Sequence, residues 1–386
     1  MRILYVAMRY DYGKPEQGYS FEHHNFYDAL LHMGHDILYF DFVALMQEHN
    51  RDWMNRRLLE VAKAEKPELM FTVLHRDELK QDGVREISES TDTVTVNWFC
   101  DDHWRFADFS SRWAPCFNWA VTTAQSALPR YAEIGFENVI KSQWACNHFL
   151  YCSLDLPFKY DVTFVGQPHG TRRRVIQALR DAGVSVNVWG QGWETGRLSQ
   201  EEMIRVFNQS RVNLNLSNAS MPAGACEHPR SGAIRGRLSH FLERVPLGGQ
   251  LKAAGKRALA LVQTVTQREE ISQQYDEQIK GRNFEVPGSG GFILTGRAEN
   301  LGDYYELGKE VVCFDDVDDL IEKARYYLRH EDERLAIAEA GHQRTLREHT
   351  YAHRFTEIFE RLRLPHAGCE EILAGEVPQG RTEEVH

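Results

Sequence analysis

The chain begins with an apolar run, Ile3–Met8, that stops at Arg9 and Asp11, and from there two hydrophobic periods alternate. Phe21, Phe26, Leu30 and Leu31 share one face at helical spacing, and Gly34 ends that helix. Asp36–Phe42 reads as a strand, Asp52–Ala64 as a helix, Glu68–Leu74 as a strand and Asp77–Glu89 as a helix. Thr93–Phe99 and Phe117–Thr122 read as further strands, with Cys100–Pro115 expected as a polar loop between them. Strands that are apolar along their whole length and alternate with helices predict a parallel sheet covered on both faces.

Pro157 marks a crossover, after which the pattern restarts. Val162–Val165, Ser185–Trp189 and Val212–Leu216 read as strands, with helices over Arg172–Ala182 and Gln200–Asn208. A segment from Asn218 to Gln274 breaks the rhythm, which returns with strands at Gly291–Thr295 and Glu310–Phe314. Helices follow over Val317–Arg329, Arg334–Glu348 and His353–Leu362, the last with Thr350 as its N-cap. The polar, aperiodic stretch after Pro365 is expected to be disordered. The domain reading is therefore residues 1–157, then 158–348 with an insertion at 218–274, a helix at 349–365 crossing back to the first unit, and a tail at 366–386. Two doubly wound α/β units facing one another place a ligand in the cleft at the carboxyl ends of their strands.

Composition narrows the function classes. The 386 residues carry a formal charge of −11, which disfavours a nucleic-acid partner. Seven scattered cysteines, no signal-peptide core and no long apolar run point to a reduced, cytoplasmic protein. The charge is uneven. Pro229–Arg268 holds eight basic residues against the single acid Glu243, on two amphipathic stripes. That segment reads either as a helical insertion packed on its own domain or as a peripheral contact with an anionic membrane, here the inner face.

Four segments carry candidate chemistry. In VTFVGQPHGTRRR a strand ends at Gly166, Thr171 is placed to cap a helix, and Arg172 begins its first turn, an arrangement suited to phosphate. WGQGWETG, from Trp189, fails the dinucleotide fingerprint because Thr195 stands where a glycine is needed, leaving a tight turn or a nucleotide-lining loop. In EQIKGRNFEVPGSGGFILT, Lys280 and Arg282 can neutralise a diphosphate and Glu285 can accept from ribose hydroxyls, ahead of a glycine-rich turn at Gly290 and Gly291. In NWFCDDHWRF, Asp101, Asp102 and His103 offer acid–base or hydroxyl contacts and Trp104 a face for a sugar. Two adjacent aspartates without a third ligand are a poor metal site, so no metal and no cofactor are expected. His349 and His353 read as surface histidines.

Taken together, QIKGRNFEVPGSGGFILT, the later DYYELGKEVVCFDDVDDLIEKARYYLRHEDERLAIAEAGHQRTLREHTYAHRF, GYSFEHHNFYDAL and NWFCDDHWRF resemble a bacterial glycosyltransferase family of the GT-B fold. It is the group related to CgeB-like spore maturation proteins, with the "glycosyl transferases group 1" C-terminal module. The resemblance implies transfer of a sugar from a UDP-, GDP- or dTDP-sugar to a surface polysaccharide, glycolipid or protein of the cell envelope, without metal and with retention of configuration. It implies that Gly166 lets backbone approach the phosphates, that Lys280, Arg282 and Glu285 hold the donor, and that Glu277 is the first glutamate of a Glu-x7-Glu pair. Glu22, Asp101 and Trp104 would face the acceptor, with Asp102 or His103 as its base. A nucleotide-sugar epimerase on the same fold and a non-catalytic coat or assembly protein are the competing readings.

Overall fold

A computed structural model of the protein describes residues 1–217 and 278–386. Glu277 and the basic segment Pro229–Arg268 lie outside the described residues.

The N-terminal half supplies β1 (Arg2–Val6), β2 (Asp36–Phe40), β3 (Leu69–Thr72), β4 (Val94–Phe99), β5 (Trp119–Thr122) and β6 (Val139–Lys141). The second half supplies β7 (Tyr160–Val165), β8 (Val186–Trp189), β9 (Ser210–Asn215), β10 (Ile293–Gly296), β11 (Val312–Phe314) and β12 (Thr382–Glu384). They form two all-parallel sheets, one ordered β12-β2-β1-β3-β4-β5-β6 and the other β11-β10-β9-β7-β8. Each sheet is buried on both faces, which is why β1 and β3 read as unbroken apolar runs rather than alternating ones.

Three apolar clusters hold the molecule together. One fills the outer face of the first sheet, with Leu4, Phe40, Leu58 and Trp113, and another the outer face of the second, with Val175, Leu179, Leu294 and Leu320. The third is continuous between the two halves: Tyr5, Phe26, Phe71 and Trp98 of the first meet Phe284, Ile293 and Val311 of the second. The helix Tyr351–Leu362 joins this shared core. Thr350 caps it through a capping box with His353, a parallel bridge pairs Thr350 with Cys146, and Phe355 packs on Phe26 and Phe71.

Three expectations are corrected. Cys100–Pro115 is not a polar loop but a chain of short helical turns, because Phe106, Phe109 and Trp113 recur at helical spacing and are buried. The stretch beyond Pro365 is ordered. It forms the helix Cys369–Leu373 and then β12, which pairs in parallel with β2 and is tied down by Arg2–Glu383 (2.8 Å) and Arg9–Glu384 ion pairs. His349 is buried: its Nε2 meets the Tyr304 carbonyl at 2.6 Å, and burial beside Arg354 pushes its pKa down to about 4.

Candidate active site

The carboxyl ends of the two sheets enclose a cleft of about 240 Å³. The second half contributes Gly166, Gly190, Arg197, Arg282 and Glu285; the first contributes Asp11, Tyr19 and His24, and Tyr151 comes from the crossover. The loops after β7 and β8 lie against one another there. A Cβ on Gly190, whose φ is +142°, would stand 2.4 Å from the Gly166 carbonyl oxygen, so only glycine fits. The Trp193 indole N–H donates to that same oxygen at 2.8 Å. The WGQGWETG turn is thus a wall of the cleft, through Gly190 and Gln191.

Behind this wall lies a charged cluster with no exposed carboxylate. Glu285 is fully buried, accepts from the Tyr151 hydroxyl at 2.8 Å, and is ion-paired with Arg282 Nη1. Arg282 leans over the Phe207 ring at 5.4 Å, and its buried Nε has no partner among the described residues. Arg282 therefore brings a guanidinium, held in place by a carboxylate, to the cleft wall, with donor capacity left over.

The other expected donor residues serve different ends. Arg172 turns inward: its guanidinium donates to the Gln167 and Leu216 carbonyls, both at 2.9 Å, and burial together with Arg282 lowers its pKa to about 10. It pins the loop after β7 to the end of β9. Thr171 makes no capping bond to the helix Arg172–Asp181. Lys280 sends its Nζ to Gln278 Oε1 at 2.6 Å, near His103 and His169, and does not line the cleft. Gly290 and Gly291 do not line it either. A Cβ on Gly290 would meet Ser153 Oγ at 2.9 Å, and one on Gly291 would meet Asn213 Nδ2 at 2.9 Å, so these glycines serve close packing.

The acceptor-side residues divide in the same way. Asp102 is wholly buried inside the first half, where Oδ2 accepts from the Tyr131 hydroxyl at 2.7 Å and burial raises its pKa. It lines neither the cleft nor the pocket that holds Glu22. His103 stands at the junction of the halves, its Nε2 3.3 Å from Glu299, and burial lowers its pKa. Glu22 and Asp101, by contrast, meet in a pocket of about 90 Å³ at the ends of β3 and β4, with His75, Cys100 and Arg105. Burial, with added repulsion from Asp11 and Asp101, pushes the Glu22 carboxyl up to about 7 against the opposing pull of its own backbone and Ser20. Trp104 lines an adjoining chamber that shares Arg105 and Phe109 with this pocket.

The cleft residues that sequence reasoning missed are Asp11, Tyr151 and Arg197. Arg197 and Asp11 form an ion pair between the two halves, and Tyr151 sits in what reads as a plain linker. Only the pairing of distant segments reveals them. His24 lay inside GYSFEHHNFYDAL without being singled out; burial lowers its pKa and keeps it neutral in the cleft.

Residues 171–238 and 240–360 match the protein family described as glycosyl transferase-like. Among solved structures, Anabaena Alr3699/HepE in complex with UDP and glucose is similar at a TM-score of 0.55 and 11% identity, covering 94% of this chain and 99% of that one. The same protein in complex with UDP-glucose gives 0.54. Sucrose-phosphate synthase from Thermosynechococcus elongatus gives 0.56 at 9% identity, covering 94% and 98%. No curated protein matches in sequence. Among the described residues no helix is long and apolar enough to cross a membrane. The match to the glycosyl transferase-like family thus lies in the second half of a chain whose two facing parallel-sheet domains have the GT-B architecture.

Proposed function

We propose that the chain moves a sugar from a nucleoside diphosphate sugar, seated in the interdomain cleft, to an acceptor hydroxyl presented in the Glu22–Asp101 pocket. The observation that carries this reading is Arg282, fixed by the buried Glu285 and Tyr151 on the wall of a cleft that Gly166 and Gly190 also line. HepE binds UDP and UDP-glucose, which supports UDP-sugars as the first donors to test. The CgeB-like placement and an envelope glycan, lipid or protein acceptor belong to the same proposal.

The chemistry follows from where charge develops. As the glycosidic bond to the diphosphate breaks, negative charge builds on the phosphate oxygens. Arg282 at the wall lowers the cost of that charge in the way a divalent ion does elsewhere. The neutral His24 imidazole faces the donor side and can hydrogen-bond the sugar. Glu22 accepts a hydrogen bond from the attacking hydroxyl, whose proton passes to the departing phosphate oxygen on the same face. That geometry retains configuration at the anomeric carbon. Glu285, occupied by Arg282 and Tyr151, reaches the ribose only by sharing its second oxygen.

Incubation with labelled UDP-sugars and no acceptor tests the class of reaction. The expected product is slow hydrolysis to the free sugar, its anomer read early by NMR, with the rate unchanged by EDTA. Recovery of epimerised donor instead would overturn the transferase reading.

The raised Glu22 pKa gives a pH expectation. The carboxylate accepts the hydroxyl's hydrogen bond and the protonated form does not. Transfer should therefore fall as pH drops through about 7, approaching tenfold per unit below it. Glu22→Gln should slow transfer roughly tenfold or more, the worth of a charge-assisted hydrogen bond, and erase that acidic limb. A limb that persists in Glu22→Gln belongs to another group.

A further inference from the structure

The pocket that holds Glu22 adjoins a second space. Arg105 and Phe109 line both it and a neighbouring open chamber of about 330 Å³, whose other walls include Trp104, Arg76 and Arg112. The two spaces share one wall, and Arg105 is the charged group in it. Its guanidinium lies 4.1 Å above the Phe109 ring centre and 5.7 Å from that of Trp104, so aromatic faces hold it flat. Neither Arg105 nor Arg76 is ion-paired with a carboxylate among the described residues.

The acids of the chamber do not cancel this charge. Asp77 is engaged by the Trp113 indole N–H at 2.7 Å and by Arg112 at 3.5 Å, and Asp108 stands exposed on the rim. Three guanidinium groups therefore line one chamber in a protein of net charge −11. Two of them have their forks open. Planar, weakly hydrated guanidinium groups held on aromatic faces match the oxygens of a phosphate group better than any neutral hydroxyl.

We propose that this chamber is an acceptor subsite for a phosphate group, so that the acceptor is a phosphorylated molecule whose reacting hydroxyl meets Glu22 while its phosphate rests between Arg105 and Arg76. The proposal rests on the reading of the Glu22 pocket as the acceptor site. It adds the chemical class of the acceptor, which nothing in the donor cleft fixes.

The test titrates the full chain by calorimetry with UDP present in excess, so that the donor cleft is filled. The probes are inorganic phosphate, glucose 6-phosphate as a soluble source of the group, and phosphatidylcholine vesicles containing phosphatidic acid as a lipid source. Phosphate and one of the two larger probes should bind. Arg105→Gln and the exposed Arg76→Gln should each weaken binding roughly tenfold or more, as loss of a charge-assisted contact requires. Arg105→Lys should restore part of the affinity, and UDP affinity should not move. No binding of any probe to the native chain, or native affinity in both Gln variants, overturns the proposal. Failure of UDP itself to bind would instead strike the donor reading, and the two failures are read separately.

Discussion

Arg282→Ala should lose about two orders of magnitude in UDP affinity, near 2.7 kcal/mol, and roughly 3 kcal/mol of folding stability at once. The two losses have different origins. Affinity falls because the guanidinium lies on the cleft wall that Gly166 also lines and keeps an Nε–H without a partner among the described residues. Stability falls because Glu285, with no exposed surface, would keep its charge with only the Tyr151 hydroxyl at 2.8 Å to balance it. A second variant separates them. Arg282→Met combined with Glu285→Gln removes both charges and keeps volume and a Tyr151 partner. It should regain most of the stability while leaving UDP binding as weak as in Arg282→Ala. Denaturant unfolding and calorimetry on the same samples read both quantities. Native UDP affinity in Arg282→Ala would mean that the cleft is not the donor site. Full stability in Arg282→Ala would mean that the Arg282–Glu285 pair adds nothing to the fold.

How much of this was legible in the sequence depends on the range of the interactions involved. Strands such as β1 and β3 announce themselves because each is apolar over nearly its whole length, and the capping of Tyr351–Leu362 by Thr350 is a contact across three residues. The helix Gln200–Asn208 and its Ser199–Glu202 box are local for the same reason. The site was read less well. A glycine-ended strand leading into a helix N-terminus suggested Arg172 on a phosphate, yet Arg172 is spent on carbonyls of Gln167 and Leu216, the latter brought near only by the sheet. Gly290 and Gly291 looked like a ligand loop, but their lack of a side chain serves Ser153 and Asn213, again partners set by tertiary contact. Adjacent Asp101 and Asp102 are indistinguishable in sequence; one faces a pocket and the other a buried Tyr131. Glu22 was legible only as part of a resemblance. Its chemistry comes from burial beside Asp11 and Asp101, and no local pattern encodes that.

Removing residues 366–386 should lower stability by about 3–5 kcal/mol, counting one fully buried Ile372 side chain and the partly buried apolar residues around it. The stretch looks dispensable by composition, since most of it is polar. Its contribution is positional. Ile372 enters the shared core, β12 covers the edge of β2, and Tyr27 meets Thr382 at 2.8 Å. Truncation would leave the β2 edge unpaired, which favours association with other chains. It would also act at a distance on the acceptor side. Arg9 is held by Glu384 and lies over the Tyr39 ring at 4.4 Å. Its carbonyl accepts from the Ser20 N–H at 2.8 Å, and the Ser20 hydroxyl caps the turn that carries Glu22 through His23 N–H at 3.1 Å. Loss of Glu384 should therefore loosen the Glu22 segment more than the Arg282 cluster. The truncated chain should show a lower unfolding midpoint, a raised KM for acceptor and a UDP affinity close to native. Ile372→Ala should reproduce the stability loss with little effect on acceptor KM, and Glu384→Gln should do the reverse. An unfolding midpoint unchanged by truncation would show that β12 adds nothing to the sheet it joins.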